Sequence, residues 1–344
     1  MKNTTIYAKG NNWQKNRYSF MSEFNRTNGV TSFGNVKENG NFYYHIIDLE
    51  HVDPEYNLLG EKLILDEVDK RFKTKAGDKR RVLTNTVASQ PCCFNLFAPL
   101  KLKQNAALTD KLFSRLLGKV VNVEDIIIEF TPDEEESLGD QSKTIGTDAD
   151  VSVFYTDSDK RTGIILIEFK YIEPKFSLCT SYAKKNRIRN VCDSQNFHDD
   201  KLGIIDKNKP DCGYLRYNNW ELTQKSNVIS IDSIKQSSNC PFRFSANQLW
   251  RNMLLAENVA RVRNLSEFHF WVLAPKHNTF LWNNHGENIE KEFRTILTAS
   301  GNSLFRRLDI EHDFILPLEM EENNNWVNNW LQKFREKYLT DIHE

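Results

Sequence analysis

The chain has 344 residues, of which 39% are hydrophobic and 27% charged, so its composition is that of a globular protein rather than a disordered one. The 46 Lys and Arg nearly balance the 47 Asp and Glu, which argues against a uniformly basic protein that coats nucleic acid. No apolar run approaches the roughly 18 residues of a membrane-spanning helix. Residues 1–20 are polar and lack the apolar stretch of a signal peptide, so we expect a cytoplasmic protein without membrane contact.

Composition shifts along the chain suggest its organisation. At roughly 100–200 residues per domain, the length allows two domains or one domain with insertions. We predict a core interrupted by one insertion and extended at both ends. The segments are an N-terminal elaboration (1–85), a first core part (86–175), a cysteine-bearing insertion (176–243), a second core part (244–320) and a C-terminal amphipathic helix (321–344).

The N-terminal elaboration carries little regular pattern. The first 50 residues are rich in Asn, Thr and Gly, and we predict loops with short strands, the strongest over 42–47. A charged helix is predicted over 58–72, and it runs into seven positive charges within residues 70–81. This basic cluster is either a solvated helix end or a phosphate-contacting patch. The candidate nucleic-acid contacts in it are Lys73, Lys75, Arg80 and Arg81.

From residue 89 the pattern becomes that of a protein core. After an apolar segment, the predicted order is helix, strand, strand, strand, insertion, helix and strand. The predicted helices cover 108–117 and 245–263, followed by an amphipathic helix at the C-terminus. The predicted strands cover 121–130, 150–155, 163–171, 267–274 and 313–318.

The strand over 163–171 ends in charged residues although it is otherwise apolar. The apolar run 164–167 is typical of an interior strand that is covered on both faces. Glu168 and Lys170 are two residues apart and therefore point to the same face. Each buried charge costs several kcal/mol unless it is compensated. Their mutual attraction is one source of compensation, and a metal ion with bound substrate is another.

The preceding strand supplies a further carboxylate on one face. If the two strands form a hairpin, Asp150 lies beside Glu168. Two carboxylates and a backbone carbonyl, that of Phe169, form a partial shell for Mg²⁺. Such an ion polarises a phosphodiester and activates a water, while Lys170 orients that water or offsets developing charge.

At these residues the sequence resembles the PD-(D/E)xK nuclease superfamily. Asp150 precedes Glu168-Phe169-Lys170 by 18 residues on a predicted partner strand. Segments 89–97, 168–174 and 248–252 look like an uncharacterised bacterial branch of that superfamily. The resemblance covers about residues 89–275. It implies an α/β, restriction-endonuclease-like fold, with a mixed central sheet flanked by helices.

The resemblance also implies an activity, which is hydrolysis of DNA phosphodiester bonds with Mg²⁺ or Mn²⁺ in restriction, phage defence or repair. Asp150, Glu168 and the Phe169 carbonyl would hold the metal, and Lys170 would position or activate the water. Such nucleases often carry an extra Glu on the first helix, but the helix over 108–117 has none. The candidates for a second metal position or the rim of the site are Glu129, Glu173 and Gln90.

The helix over 245–263 has two interpretations at its first turn. Ser245 and Gln248 match a capping box, so Gln248 is either a helix cap or a support for the catalytic site. Related nucleases use a Gln at this place to hold the site. Arg251 and Asn252 lie one turn further on and can meet a phosphate from the same side.

The insertion holds four cysteines among basic residues. The cysteines are Cys179, Cys192, Cys212 and Cys240. Their wide spacing is not that of a standard zinc finger, so they are either ligands of a structural Zn²⁺ or iron–sulfur cluster, or buried thiols. Lys184, Lys185 and Arg187 lie between them and are candidate contacts to the DNA backbone.

Two other functions remain open on the same residues. One is a nucleic-acid-binding protein that keeps the fold without catalysis, and the other is a nuclease that acts on RNA. The sequence lacks a Gly-rich phosphate loop, a Gly-x-Ser-x-Gly elbow and a His-Glu-x-x-His helix. The near-neutral charge favours a homodimer or an enzyme with a partner subunit over one that holds long DNA alone.

Overall fold

The chain folds around a mixed central sheet with helices on both faces, as the sequence predicts. The computed structural model describes residues 4–35, 40–74, 78–140, 146–179, 182, 192–193, 217–284, 286–321 and 324–340.

Within these residues the helices are α1 (Asn12–Thr27), α2 (Lys62–Thr74), α3 (Lys79–Thr84), α4 (Ser89–Leu100), α5 (Ala106–Leu117), α6 (Asn219–Lys225), α7 (Ile231–Gln236), α8 (Ala246–Val262), α9 (Ile289–Thr295), α10 (Ala299–Leu304), α11 (Leu316–Met320) and α12 (Asn325–Tyr338). The strands are β1 (Thr4–Thr5), β2 (Phe33–Asn35), β3 (Phe42–Ile47), β4 (Val121–Phe130), β5 (Ala149–Asp157), β6 (Thr162–Phe169), β7 (Glu267–Ala274), β8 (Asn283–Asn284), β9 (Glu287–Asn288) and β10 (Phe305–Asp309).

The central sheet has the strand order β10-β7-β6-β5-β4. Strand β5 is antiparallel to both β4 and β6, whereas β6, β7 and β10 are parallel to one another. The hairpin between β5 and β6 is therefore confirmed. Strand β6 occupies the centre, and residues 163–169 are all buried, which explains its apolar run.

Alternating residues of the strands pack into two separate hydrophobic cores, one on each face of the sheet. Ile165 and Ile167 face a core that also contains Met21, Ile64 and Trp330, so the N-terminal helices and α12 pack against the same face. Ile164 and Leu166 face the other core, which α8 covers with Leu249 and Met253. The catalytic candidates lie where these two helical layers meet one edge of the sheet.

Two sequence predictions are wrong in the secondary structure. Helix α1 replaces the loops predicted for the N-terminus, and it begins with a capping box in which Asn11 and Gln14 exchange hydrogen bonds. The strand predicted over 313–318 is a π-helix (Ile310–Ile315) followed by α11. The fifth strand is instead β10, immediately before it. A short apolar run does not by itself distinguish a strand from a helix.

Candidate active site

Three carboxylates lie in a row across neighbouring strands at one edge of the sheet. The register between β4 and β5 places Glu129 across from Asp150. The register between β5 and β6, extended by one residue, places Asp150 across from Glu168. We call Glu129, Asp150 and Glu168 the carboxylate row. Because like charges at this spacing repel, the row requires cationic partners.

Asp150 occupies the centre of the row. Its Oδ2 accepts a 2.7 Å hydrogen bond from the backbone N–H of Phe169. The C=O and N–H of a strand residue point to the same side, so the Phe169 carbonyl also faces β5. Burial raises the pKa of Asp150 well above its usual range, and the negative charge of Glu168 adds to the effect, while Lys170 opposes it.

Glu168 is 3% exposed and both of its carboxylate oxygens are occupied. Its Oε1 accepts from Lys170 Nζ at 2.7 Å and from Gln248 Nε2 at 2.7 Å. Its Oε2 accepts from Asn252 Nδ2 at 2.5 Å. A buried carboxylate with this many donors keeps a fixed orientation.

The backbone of Lys170 is hydrogen-bonded, and this fixes its side chain beside Glu168. Its N–H donates to Leu273 O of β7 at 2.9 Å, which extends the parallel pairing past the end of β6. Burial works against the ammonium form, but the charges of Glu168 and Asp150 outweigh it and raise the pKa of Lys170. The side chain is therefore a cation at neutral pH.

The side chain of Gln248 is used at the site and not only within its own helix. It accepts a 2.8 Å hydrogen bond from the Ser177 N–H while it donates to Glu168. One amide thus connects α8, the strand that carries Glu168 and the segment after that strand. This geometry favours the second of the two interpretations that the sequence left open.

Glu129 reaches the row through an unusual backbone conformation. Its φ is 57°, in the left-handed region that non-glycine residues rarely adopt. Gln90 Nε2 donates to Glu129 Oε1 at 2.9 Å, and Arg71 Nε donates to the Glu129 carbonyl at 2.9 Å. Burial raises the pKa of Glu129, assisted by the charges of Asp148 and Glu168 and opposed by the Gln90 bond and Arg71.

Glu173 lies at the rim of the site. Its Oε2 accepts from the Tyr171 N–H at 2.9 Å, and its charge is among those that favour the charged form of Lys170. The structure thus brings the Glu173 carboxylate within electrostatic reach of the Lys170 ammonium.

Asp150, Glu168 and the Phe169 carbonyl are donors of the kind that suits a divalent cation with a preference for oxygen ligands. Carboxylate oxygens and a strand-end carbonyl are the ligands that Mg²⁺ and Mn²⁺ take. The pKa values of Asp150 and Glu129 are raised because both half-buried acids are partly desolvated and lie near other negative charges. A divalent ion among them would relieve that repulsion.

Only some of the candidate nucleic-acid contacts lie within the described residues. Lys73, Arg80 and Arg81 are exposed at the end of α2 and on α3. Arg251 is half-buried on α8, between Gln248 and Asn252. Lys75, Lys184, Lys185 and Arg187 lie outside the described residues.

Three of the four insertion cysteines are described and buried. Cys179, Cys192 and Cys240 belong to the same apolar cluster as Trp220. The Cys240 N–H donates to the Cys192 carbonyl at 2.7 Å, so two of them lie on adjacent backbone segments. Cys212 lies outside the described residues, and metal binding by this group stays a prediction.

Sequence reasoning missed two roles at the site. Asn252 was considered only as a phosphate contact, although it lies four residues after Gln248 and so shares its helix face. Arg71 was counted in a basic cluster, although it follows Ile64 and Val68 on the buried face of α2. Helical spacing indicates which helix face each residue occupies, but not what that face contacts.

Comparison with known proteins identifies the family. The family model described as Restriction Endonuclease associating with ARP matches residues 21–339. The chain belongs to this restriction endonuclease family. Searches of curated proteins and of solved structures returned no significant match. The assignment confirms the resemblance to restriction-endonuclease-like proteins and the α/β fold class, and a nuclease-like function in general.

In the described part of this family member, no helix combines the length and apolarity that crossing a bilayer would need.

Proposed function

We propose that this restriction endonuclease family member is a cytoplasmic nuclease that hydrolyses DNA phosphodiester bonds with Mg²⁺ or Mn²⁺. One observation supports it above the others, which is the meeting of Asp150, Glu168 and Lys170 at one edge of the sheet. A purely structural ion pair would need only Glu168 and Lys170. The additional half-buried acids, Asp150 and Glu129, make the site less stable unless it holds a cation.

Asp150, Glu168 and the Phe169 carbonyl would hold the metal. When bound, such an ion polarises the phosphate and lowers the pKa of a water molecule. The chain itself orients the ligands, because Gln248 and Asn252 hold Glu168 from the helix side. Supporting partners of this kind keep a metal ligand in one orientation.

Lys170 acts as a fixed cation in this mechanism. A general base needs a pKa near the working pH so that it can lose its proton there. The carboxylates around Lys170 instead raise its pKa, further away from neutrality. The ammonium therefore orients the attacking water or stabilises negative charge that develops on the phosphate.

The Glu129 side of the row is the candidate for a second metal position. Gln90 holds its carboxylate, and Glu173 marks the rim beyond Lys170. Glu129, held by Gln90, would take the place of the Glu that such nucleases often carry on the first helix and that the helix over 108–117 lacks. We propose a first metal between Asp150 and Glu168, with Glu129 tuning that site or holding a second ion.

The DNA backbone would be held by cations of the N-terminal elaboration, the insertion and α8. We assign this role to Lys73, Arg80, Arg81 and Arg251, and to Lys75, Lys184, Lys185 and Arg187 outside the described residues. Phosphate contacts of this kind make affinity depend on salt. The near-neutral net charge supports a homodimer or a partner subunit, and the family description names association with ARP.

A cleavage assay tests the proposal. Supercoiled plasmid is incubated with the protein in Mg²⁺, Mn²⁺ or EDTA, and single- and double-stranded RNA are tested in parallel. We expect nicked or linear DNA with either metal and none in EDTA. Glu168→Gln is expected to abolish cleavage and keep DNA binding, while Glu124→Gln, an exposed acid on β4, serves as the matched control.

Each alternative predicts a different result. Cleavage of RNA but not DNA would reassign the substrate. DNA binding without cleavage under any metal would identify a binding protein on this fold. Metal analysis of the same preparation tests the cysteine prediction, since a structural Zn²⁺ or an iron–sulfur cluster would copurify.

A further inference from the structure

We propose that a cavity between α1, the turn after β7 (275–280) and the end of α12 binds one unpaired nucleotide of the substrate beside the candidate active site. We call this cavity the α1 pocket. Its volume is about 770 Å³, within the roughly 300–1,000 Å³ that is typical of ligand pockets. The inference rests on the proposed nuclease function, and it adds the form in which that nuclease takes its substrate.

The α1 pocket adjoins the chain segment that follows β6. Trp13, which lines the pocket, donates from Nε1 to the Tyr171 carbonyl at 3.3 Å. Asn278, in the turn after β7, donates to the same carbonyl at 3.1 Å and to the Glu173 carbonyl at 2.8 Å. Two walls of the pocket are therefore bonded to the residues that directly follow Lys170, at the same edge of the sheet as the carboxylate row.

The side chains of α1 and of the turn suit a base. Phe280 is 40% exposed, more than any other Phe, Tyr or Trp side chain in the described part of the chain. Trp13 is half-buried in the same pocket. Every nucleic-acid base has a flat face that stacks on such rings. Asn12 and Asn16, both exposed and one helical turn apart, supply amides that can hydrogen-bond a base edge.

Two cations of the pocket lack an anionic partner. Arg17 is 4% exposed, and its guanidinium donates to the carbonyls of Tyr338 and Thr340 without pairing with a carboxylate among the described residues. Lys276 is exposed, and its Nζ lies 3.3 Å from His312 Nε2. A buried cation without a counter-charge is unfavourable. A nucleotide phosphate supplies that charge, since the exposed Lys276 can bind it directly while the buried Arg17 adds attraction at longer range.

The two acids that line the pocket have other partners. Asp309 accepts from the backbone N–H groups of Lys276 and His312, and it lies 2.8 Å from His312 Nδ1. Glu311 pairs with Arg335 at 2.5 Å. Neither carboxylate forms an ion pair with the Lys276 ammonium. Charge complementarity therefore favours an anionic occupant, and the neighbouring rings favour one that also carries a base.

DNA duplexes that differ at one nucleotide test the assignment. One is fully paired, one carries a single unpaired thymidine, and one carries an abasic sugar-phosphate at that position. Binding to the whole protein is measured by fluorescence anisotropy with Ca²⁺ in place of Mg²⁺. We expect the unpaired thymidine to raise affinity about 10-fold over the paired duplex, as one stacked base does. The abasic duplex should lose most of this gain.

Substitutions at Phe280 and Lys276 separate the base from the phosphate. Phe280→Leu keeps an apolar side chain without a ring, so it should remove the gain and leave affinity for the paired duplex unchanged. Phe280→Trp keeps a ring and should retain the gain. Lys276→Gln should weaken binding of the thymidine and abasic duplexes alike by a few-fold. It should also reduce the salt dependence by about one counterion.

Val120→Ala and Lys291→Gln are the matched controls. Val120 is an apolar residue that is 67% exposed, Lys291 is exposed on α9, and neither lines the α1 pocket. Both variants should bind all duplexes like the wild type. Unfolding midpoints are measured for every variant. If a variant fails to fold, the wild-type comparison of the thymidine and abasic duplexes still decides the question.

Equal affinity of the wild type for the paired and thymidine duplexes would overturn the inference. So would an abasic duplex that binds as tightly as the thymidine duplex, or a thymidine preference that survives in Phe280→Leu. A protein that cleaves plasmid DNA without the preference loses only the pocket assignment. A protein that shows the preference through Phe280 but cleaves no substrate with any metal loses the proposed function, so the two failures are distinguishable.

Discussion

Asn252 of α8 donates a 2.5 Å hydrogen bond to Oε2 of Glu168 on β6, and both side chains are buried. Gln248, one helical turn earlier, donates to the other oxygen of the same carboxylate. The two amides therefore act as a pair that fixes both oxygens of one carboxylate from a single helix face. This arrangement gives α8 a part in the site that is independent of any contact to DNA.

Asn252→Ala is expected to lower the free energy of unfolding by about 2 kcal/mol, because a buried charged acceptor loses a donor. Cleavage should fall about 10- to 100-fold, as when a supporting partner of a metal ligand is removed. Urea unfolding in EDTA and a plasmid assay measure the two effects. Asn328→Ala, on the exposed face of α12, should change stability by less than about 0.5 kcal/mol. Equal behaviour of the two variants would contradict the role of Asn252.

Asp150→Asn is expected to change how stability depends on pH in metal-free protein. Asparagine can still accept from the Phe169 N–H through its oxygen. In the wild type the folded pKa of Asp150 is raised, so its contribution to stability is full below about pH 4 and is lost as pH rises through the folded pKa. Denaturant titrations from pH 4.5 to 7 should show the free energy of unfolding of the wild type falling by up to about 1.4 kcal/mol per pH unit. The variant should lack this fall. Parallel curves would argue against a raised pKa of Asp150 in the folded protein.

Mg²⁺ is expected to stabilise the folded protein through the carboxylate row. At an ion concentration 100 times the dissociation constant, the gain is about 2.7 kcal/mol. Thermal unfolding with increasing Mg²⁺ measures it without any substrate. Glu168→Gln should abolish the shift and Glu129→Gln should only weaken it, since Glu129 is assigned to tuning or to a second ion. A shift that persists in Glu168→Gln would place the ion elsewhere.

Lys337 is expected to make stability rise with pH above neutrality. It is buried in α12, and its Nζ donates to the carbonyl and side-chain oxygens of Asn57 at 3.0 and 2.9 Å. Burial lowers its pKa to about 7. Between pH 7 and about 10.4, the usual lysine pKa, the unfolded chain binds more protons than the folded one at this residue. Folding is therefore favoured as pH increases through this window.

Lys337→Met tests that expectation. In the wild type this effect should raise the free energy of unfolding by up to about 1.4 kcal/mol per pH unit between pH 7 and 8.5. The variant should lack this rise. Lys333→Met, on the same helix and paired with Glu61, should keep the wild-type slope. The slopes are compared rather than the absolute stabilities, because Asn57 loses its partner in the first variant. An unchanged slope in Lys337→Met would refute the burial effect.

Much of the central sheet was predictable from the sequence. Alternation of side chains placed Glu168 and Lys170 on one face of β6, and the short connection from β5 predicted the hairpin that brings Asp150 to them. The predicted bounds of β7 agree with the structure. These features depend on local geometry, in which period and turn length determine which side chains meet. The weakly patterned α1 and the segment 313–318 were mispredicted because their conformations depend on capping and packing.

The sequence by itself determined the composition of the candidate site, namely an acid pair and a lysine at the end of a buried strand. Only the tertiary structure decided what surrounds them. Arg71, Gln90 and Asn252 come from three helices far apart in the chain, and their approach depends on how two apolar cores cover opposite faces of one sheet. Helix packing of this kind is non-local, so no spacing within the sequence specifies which side chains reach the edge where Glu129, Asp150 and Glu168 lie.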